Sequence, residues 1–125
     1  MKTPDILHLC ESDYRFMSVI WDNEPLPSGK LVELCTDRLG WKKPTTYPTL
    51  RKLCEKGFAR NDNTIVTSLI PREQVQAYAC EQFVDHTCGG SLPGFLTAFL
   101  GDRTLSEKEA DTLKRLIDAH KEDSL

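Results

Sequence analysis

The stretch Gly40-Trp41-Lys42-Lys43-Pro44-Thr45-Thr46-Tyr47-Pro48-Thr49-Leu50-Arg51-Lys52-Leu53-Cys54-Glu55-Lys56-Gly57, continued by Phe58-Ala59-Arg60-Asn61-Asp62-Asn63-Thr64-Ile65-Val66-Thr67-Ser68-Leu69, decides the fold. Its first part reads as a helix from Pro44 to Lys56, stopped by Gly57, with Leu50, Leu53 and Cys54 as the buried stripe. Its second part has another period. Phe58-Ala59-Arg60 and the run from Thr64 to Leu69 read as two short strands, joined by a turn at Asn61-Asp62-Asn63. Residues 41–60 also carry Lys42, Lys43, Arg51, Lys52, Lys56 and Arg60 against Glu55 alone. A positive block on a helix that runs into a hairpin is the footprint of a phosphate-binding surface, although a solvated helix face has the same composition.

Upstream, Tyr14, Met17, Ile20 and Trp21 recur at helical spacing, which predicts a helix over Asp13–Asp22 capped by Ser12. Asn23-Glu24-Pro25-Leu26-Pro27 breaks it, because proline lacks a donor and restrains the residue before it. Ser28 is placed to cap a second helix reaching Leu39, with Leu31, Leu34, Cys35 and Leu39 inward and Gly40 as the stop. Three helices and a hairpin within about 70 residues follow the order of a winged helix-turn-helix, whose third helix reads DNA.

Downstream the chain is helical and acidic. Pro71 suits the first position of a helix reaching Thr87, with Val75, Tyr78, Ala79, Phe83 and Val84 on its apolar face. Gly89-Gly90 ends it, and Ser91 caps a short helix containing Leu92, Phe95, Leu96, Phe99 and Leu100. After the break at Gly101-Asp102-Arg103, Ser106-Glu107-Lys108-Glu109 forms a capping box before a last helix striped by Leu113, Leu116 and Ile117. Three short amphipathic helices carry more apolar surface than they hide among themselves, and a partner subunit is the outlet. The expected organisation is therefore a mainly α chain with a small β-hairpin. A winged helix-turn-helix occupies residues 1–70, and a three-helix dimerisation region occupies residues 71–125.

Composition sets the outer limits. The chain has 125 residues, 39% of them hydrophobic and 28% charged, with a formal net charge of -3. That value hides the positive block between an acidic N-terminal stretch and an acidic C-terminal half. No apolar run approaches the roughly 18–20 residues that span a bilayer, and Met1 to Cys10 is too short and mixed for a signal peptide, so a cytoplasmic chain is expected. The five cysteines (Cys10, Cys35, Cys54, Cys80 and Cys88) include no CxxC pair. They read as small buried hydrophobes of a reducing compartment, and no metal site or cofactor is expected. There is no Gly-rich phosphate loop, no HExxH and no GxSxG, and His8, His86 and His120 fall in no catalytic pattern, which argues against an enzyme.

Taken together, Asp13-Tyr14 to Val19-Ile20-Trp21-Asp22, Gly40-Trp41-Lys42-Lys43-Pro44-Thr45-Thr46, Leu50-Arg51-Lys52-Leu53-Cys54-Glu55-Lys56-Gly57 and Gly89-Gly90-Ser91-Leu92 occur in a distinctive order. The chain resembles the penicillinase-repressor (BlaI/MecI) family of bacterial winged-helix repressors from about Leu9 to Ala119. The resemblance implies a homodimeric transcriptional repressor that binds an inverted-repeat operator. In such proteins the C-terminal helices interlock, which here implicates Tyr78, Phe83, Leu92, Phe95, Leu96, Phe99, Leu113, Leu116 and Ile117. It also implies a membrane-bound sensor protease as a partner, in an antibiotic-sensing circuit. By position the cleaved bond corresponds to Ala98–Phe99, where this chain lacks the family's usual asparagine. Copper-responsive relatives end in CxC motifs, whereas this sequence ends Lys121-Glu122-Asp123-Ser124-Leu125.

The residues suggest how such a protein would bind. Lys42, Lys43, Arg51, Lys52 and Arg60 are the candidates to neutralise phosphates of double-stranded DNA, a contribution that weakens as salt rises. Thr45, Thr46, Tyr47 and Thr49 are the candidates to read base edges, by hydroxyl hydrogen bonds and by methyl contacts to thymine. Thr45 and Thr46 also suit a helix cap. The family often has a long basic or polar side chain at the position of Tyr47. Pro48 poses a choice. A helix starting near Lys43 puts it in the interior, with a kink, whereas a start at Thr45 or Thr46 puts it in the first turn; the early start is favoured because Pro44 itself suits a first turn. Two other readings stay open: a regulator responding to redox or metal through Cys80, His86 and Cys88, and a winged helix that binds only protein.

Overall fold

The computed structural model describes residues 7–122. Six helices and three short strands run in the order α1 (Glu11–Asn23), β1 (Leu26–Pro27), α2 (Ser28–Leu39), α3 (Lys43–Glu55), β2 (Ala59–Asp62), β3 (Ile65–Ser68), α4 (Arg72–Thr87), α5 (Leu92–Leu100) and α6 (Glu107–Ala119). The chain divides into two compact units between Phe83 and Val84, so most of α4 belongs with the N-terminal one.

α1 starts two residues earlier than its apolar spacing predicts. Its N-cap is Cys10, which supplies no side-chain cap, and Ser12 lies inside the helix. Glu11 and Asp13 stand in its first turn, where carboxylates meet the positive end of the helix dipole. The helix stops at Asn23 and Glu24 is extended ahead of Pro25, as the proline-rich break requires. That break also contributes structure. Leu26 and Pro27 form β1, a strand that two prolines and a length of two residues kept out of the sequence reading.

Ser28 is the first residue of α2 and not its cap; the N-cap is Pro27, and the Ser28 N–H donates to the carbonyl of Thr64 at 2.7 Å. Gly40 ends α2 in the left-handed region at φ 71°, a conformation that glycine takes without a Cβ penalty. Three residues later α3 begins, giving the helix–turn–helix. β2 and β3 pair antiparallel, with Arg60 opposite Thr67 and Asp62 opposite Ile65. The turn between them is Asn63-Thr64, both at positive φ, one step beyond the expected Asn61-Asp62-Asn63. A two-residue turn of this hand matches the twist of its strands, and Asn tolerates it. β1 joins the other side of β3, so the sheet order is β1-β3-β2.

The N-terminal unit has one continuous core. Phe16, Met17 and Ile20 of α1 meet Leu31 and Cys35 of α2, Leu50 and Leu53 of α3, Phe58, Val66 and Val75. Trp41 stacks on Phe16 with ring centroids 5.5 Å apart. Phe16 and Val19 are buried although only Tyr14, Met17, Ile20 and Trp21 stood out in the sequence; Tyr14 and Trp21 are half-buried. In the C-terminal unit, Ser91 caps α5 by accepting from the Gly94 N–H at 2.9 Å, and Ser106 caps α6 by accepting from Glu109 at 3.0 Å. Among its described residues no side chain is fully buried.

Candidate nucleic-acid interface

α3 lies between the turn after α2 and the first strand of the hairpin. Each residue of a helix turns the side-chain direction by about 100°, so one face of α3 packs inward while the opposite face meets solvent. Thr46, Leu50 and Leu53 are buried. Thr45, Tyr47, Pro48, Arg51 and Lys52 are exposed, and Thr49 is half-buried. Lys42 and Lys43 stand exposed at the helix start. Among the described residues Lys42, Lys43 and Arg51 make no ion pair, so three cations of one surface lack a protein counter-charge.

Two of the candidate residues are placed otherwise than their type suggested. Thr46 is 1% exposed, and its hydroxyl faces the Lys42 carbonyl at 3.4 Å. A side chain so enclosed reaches no base edge; its methyl belongs to the core. Lys52 is half-exposed, but its ammonium lies 3.0 and 2.8 Å from the two carboxylate oxygens of Asp13. That hydrogen-bonded carboxylate raises the Lys52 pKa. Lys52 thus brings its own counter-charge to the positive surface.

The helix begins at Lys43, so Pro48 is interior, as an early start requires. Neither Thr45 nor Thr46 caps it; the N-cap is Lys42, with Pro44 in the first turn. Pro48 cannot donate to the Pro44 carbonyl. Both prolines are exposed, which leaves that carbonyl on the side where water can meet it. Thr49 turns its hydroxyl onto the Thr45 carbonyl at 2.9 Å, so its oxygen is engaged within the helix.

Beside this face, Tyr47, Leu50, Arg51 and Cys54 of α3 and Asn61 of β2 line a groove of about 280 Å³. Asn61 was read only as part of a turn. Its place in a strand next to the helix follows from the pairing register, which spacing alone does not reveal. Arg60 is exposed on the same strand, 3.5 Å from Asp62. Cys54 is half-buried, and burial pushes its thiol pKa up. Cys35, fully buried, is pushed up to about 11 by the same cause.

Behind the helix–turn–helix, a second group of contacts ties α1 to the start of α4. Arg72 donates to Asp22 at 2.6 Å and lies over the Trp21 ring. Arg38 of α2 reaches the other oxygen of Asp22 at 3.3 Å. Arg72, ahead of the smaller effect of Arg38, holds the Asp22 carboxyl below the usual range. The Trp21 indole donates to the Ile70 carbonyl at 3.0 Å, and Glu24 accepts from both the amide and the hydroxyl of Ser68.

The remaining candidates lie on α4 to α6. Phe83, Leu92, Phe99, Leu113, Leu116 and Ile117 are exposed to between 38% and 59%, while Tyr78, Phe95 and Leu96 are half-buried. Ala98 and Phe99 lie inside α5, where Phe99 stacks on Phe95 at 5.8 Å and sits under the Arg103 guanidinium. Cys80 and His86 are exposed on α4, and Cys88 is half-buried just after it. Among the described residues no three His, Cys, Asp or Glu side chains are grouped to hold a metal, and no helix is long and apolar enough to cross a membrane.

The family model for the penicillinase repressors matches residues 9–119. A protein of Latilactobacillus sakei, described as an uncharacterized 16.5 kDa protein in the ptsI 3′ region, is 23% identical over 112 residues, a match that covers 86% of this chain and 77% of the relative.

Proposed function

The chain belongs to the penicillinase-repressor family, and from that premise we propose that it is a homodimeric transcriptional repressor that binds an inverted-repeat operator in double-stranded DNA. The observation that carries this reading is the exposed face of α3, where Lys42, Lys43 and Arg51 are cationic and without ion-pair partners among the described residues. Phosphates are the natural counter-charge for such a surface, and binding them releases condensed counterions. Thr45 and Tyr47 are exposed as well, on the two flanks of that face, and with the half-buried Thr49 they are the side chains assigned to base edges. Arg60 of β2 meets the backbone next to the hairpin turn. In this reading residues 1–70 supply DNA contact and residues 71–125 supply the dimer.

The second copy covers the apolar side chains of α4 to α6. Leu92, Phe99, Leu116 and Ile117 are each more than half exposed, a surface that a second copy of the same helices matches by symmetry. Release by a membrane-bound sensor protease at Ala98–Phe99 is the family's route out of repression. Here that bond lies in a helix, so cleavage first requires α5 to unwind locally.

The test is selection of bound DNA from a random pool at two salt concentrations, followed by titration of the recovered site. A palindromic site is expected, with affinity falling steeply as salt rises. Arg51→Ala should lower the slope of log affinity against log salt by about 1, the share of one phosphate contact. Recovery of no palindrome defeats the repressor reading.

A further inference from the structure

We propose that Asp13 is a positioning residue for DNA recognition: through Lys52 it fixes the C-terminal end of α3, and so sets how Thr45, Tyr47 and Arg51 meet the operator. The inference rests on the repressor reading above. Asp13 is 4% exposed, and both of its oxygens face the Lys52 ammonium. The two residues are 39 positions apart, so the contact is tertiary and joins the first turn of α1 to the last turn of α3. Among the described residues it is the one ion pair that α3 makes.

Both ends of the pair suit their helices. A carboxylate in the first turn of α1 meets the positive end of that helix dipole, and an ammonium in the last turn of α3 meets the negative end of its own. The other end of α3 has no ion pair among the described residues, although just ahead of it the Trp41 carbonyl accepts from the Thr36 hydroxyl at 2.8 Å. Its N-cap, Lys42, supplies no side-chain cap, and Pro48 removes one internal hydrogen bond. The pose of the reading helix therefore depends on its packed core residues, on the bond between Thr36 and Trp41 ahead of it and on this ion pair near its end. A buried carboxylate is also costly to leave without its cation, so the pair resists separation. Half of the Lys52 side chain still faces solvent, among the cations that meet DNA. An ammonium already held by Asp13 contributes less to phosphate binding than the unpaired Arg51 does.

The test compares Asp13→Asn, Lys52→Met, Lys52→Arg and Arg51→Met as full-length chains on the selected DNA site. Lys52→Met is expected to weaken binding about three- to thirtyfold with the salt slope unchanged, as loss of a coupling remote from the ligand does, and Asp13→Asn is expected to weaken it by a similar factor even though it frees the Lys52 ammonium for a phosphate. Lys52→Arg, which keeps a cation able to grip both oxygens, is expected to bind like the unaltered chain. Arg51→Met is expected to lower the slope by about 1. The proposal is overturned if Asp13→Asn binds like the unaltered chain at every salt concentration, or if Lys52→Met lowers the slope as Arg51→Met does. Should Lys52→Met fail to fold, Asp13→Asn and Lys52→Arg decide between the same outcomes. If the unaltered chain selects no DNA, the repressor reading fails on its own, and hydrogen exchange of the α3 amides judges the clamp: faster exchange in Asp13→Asn supports it, and unchanged exchange overturns it.

Discussion

Burial decides what the polar and sulfur-bearing side chains of this protein can do. Cys35 sits in the core with its thiol pKa pushed up to about 11, while Cys10 and Cys80 are exposed. A group whose folded pKa is raised stabilises the fold below its unfolded value and loses that contribution as pH rises through the folded one. Stability should therefore fall between about pH 9 and 11, and Cys35→Val should remove part of that slope; pH-dependent urea denaturation measures it. A thiol probe at neutral pH should label Cys10 and Cys80 within minutes and Cys35 only on unfolding, and prompt labelling of Cys35 would contradict its enclosure. Thr46 gives the same lesson from a hydroxyl. Its type nominated it for base reading, yet its side chain packs into the core. Leu53, also fully buried, should cost about 2–5 kcal/mol of stability when changed to alanine.

At the scale of elements, what was legible in the sequence is what is encoded locally. The stops and caps at Gly40, Ser91 and Ser106 act where their types put them, because each needs only neighbours in the chain. Ser12 and Ser28 show the limit of that rule: the helices extend past one and draw the other into a bond with Thr64, since packing outweighs a cap. β1 and the Asp13–Lys52 pair were not legible, because both depend on partners about 40 residues away in sequence. The link from α1 to α4 is of this kind too. Asp22 is held below the usual carboxylate range by Arg72 and Arg38, so its contribution is complete above that range and is lost as pH falls through its lowered folded value. Asp22→Asn should flatten the acid limb of the stability curve below about pH 4, and an unchanged limb would remove Asp22 from the account. Pro48→Thr, which restores a donor to the middle of α3, should change operator affinity or preference when the selected site is titrated.

For the molecule as a whole, the two halves differ in how far they bury themselves. The N-terminal unit has a filled core, whereas α5 and α6 leave large apolar side chains in solvent. If a second copy covers them, Leu116→Glu combined with Ile117→Glu should shift sedimentation at micromolar concentration from dimer to monomer. Because the replaced side chains are each more than half exposed, the N-terminal core should keep its melting behaviour. Operator affinity should fall by about 10²-fold or more, as the two half-sites lose their linkage. A wild-type chain that sediments as a monomer would count against the assembly altogether.

The two-residue strand β1 has a consequence for this association. It forms one edge of the sheet, and Pro27 offers no N–H to an incoming strand. The opposite edge, β2, presents the exposed charges of Arg60 and Asp62. Both margins are thus poor templates for strand addition, the usual route to β-aggregation. Should copies of this chain associate as proposed, the apolar helix faces and not the sheet margins are the surfaces left for that contact.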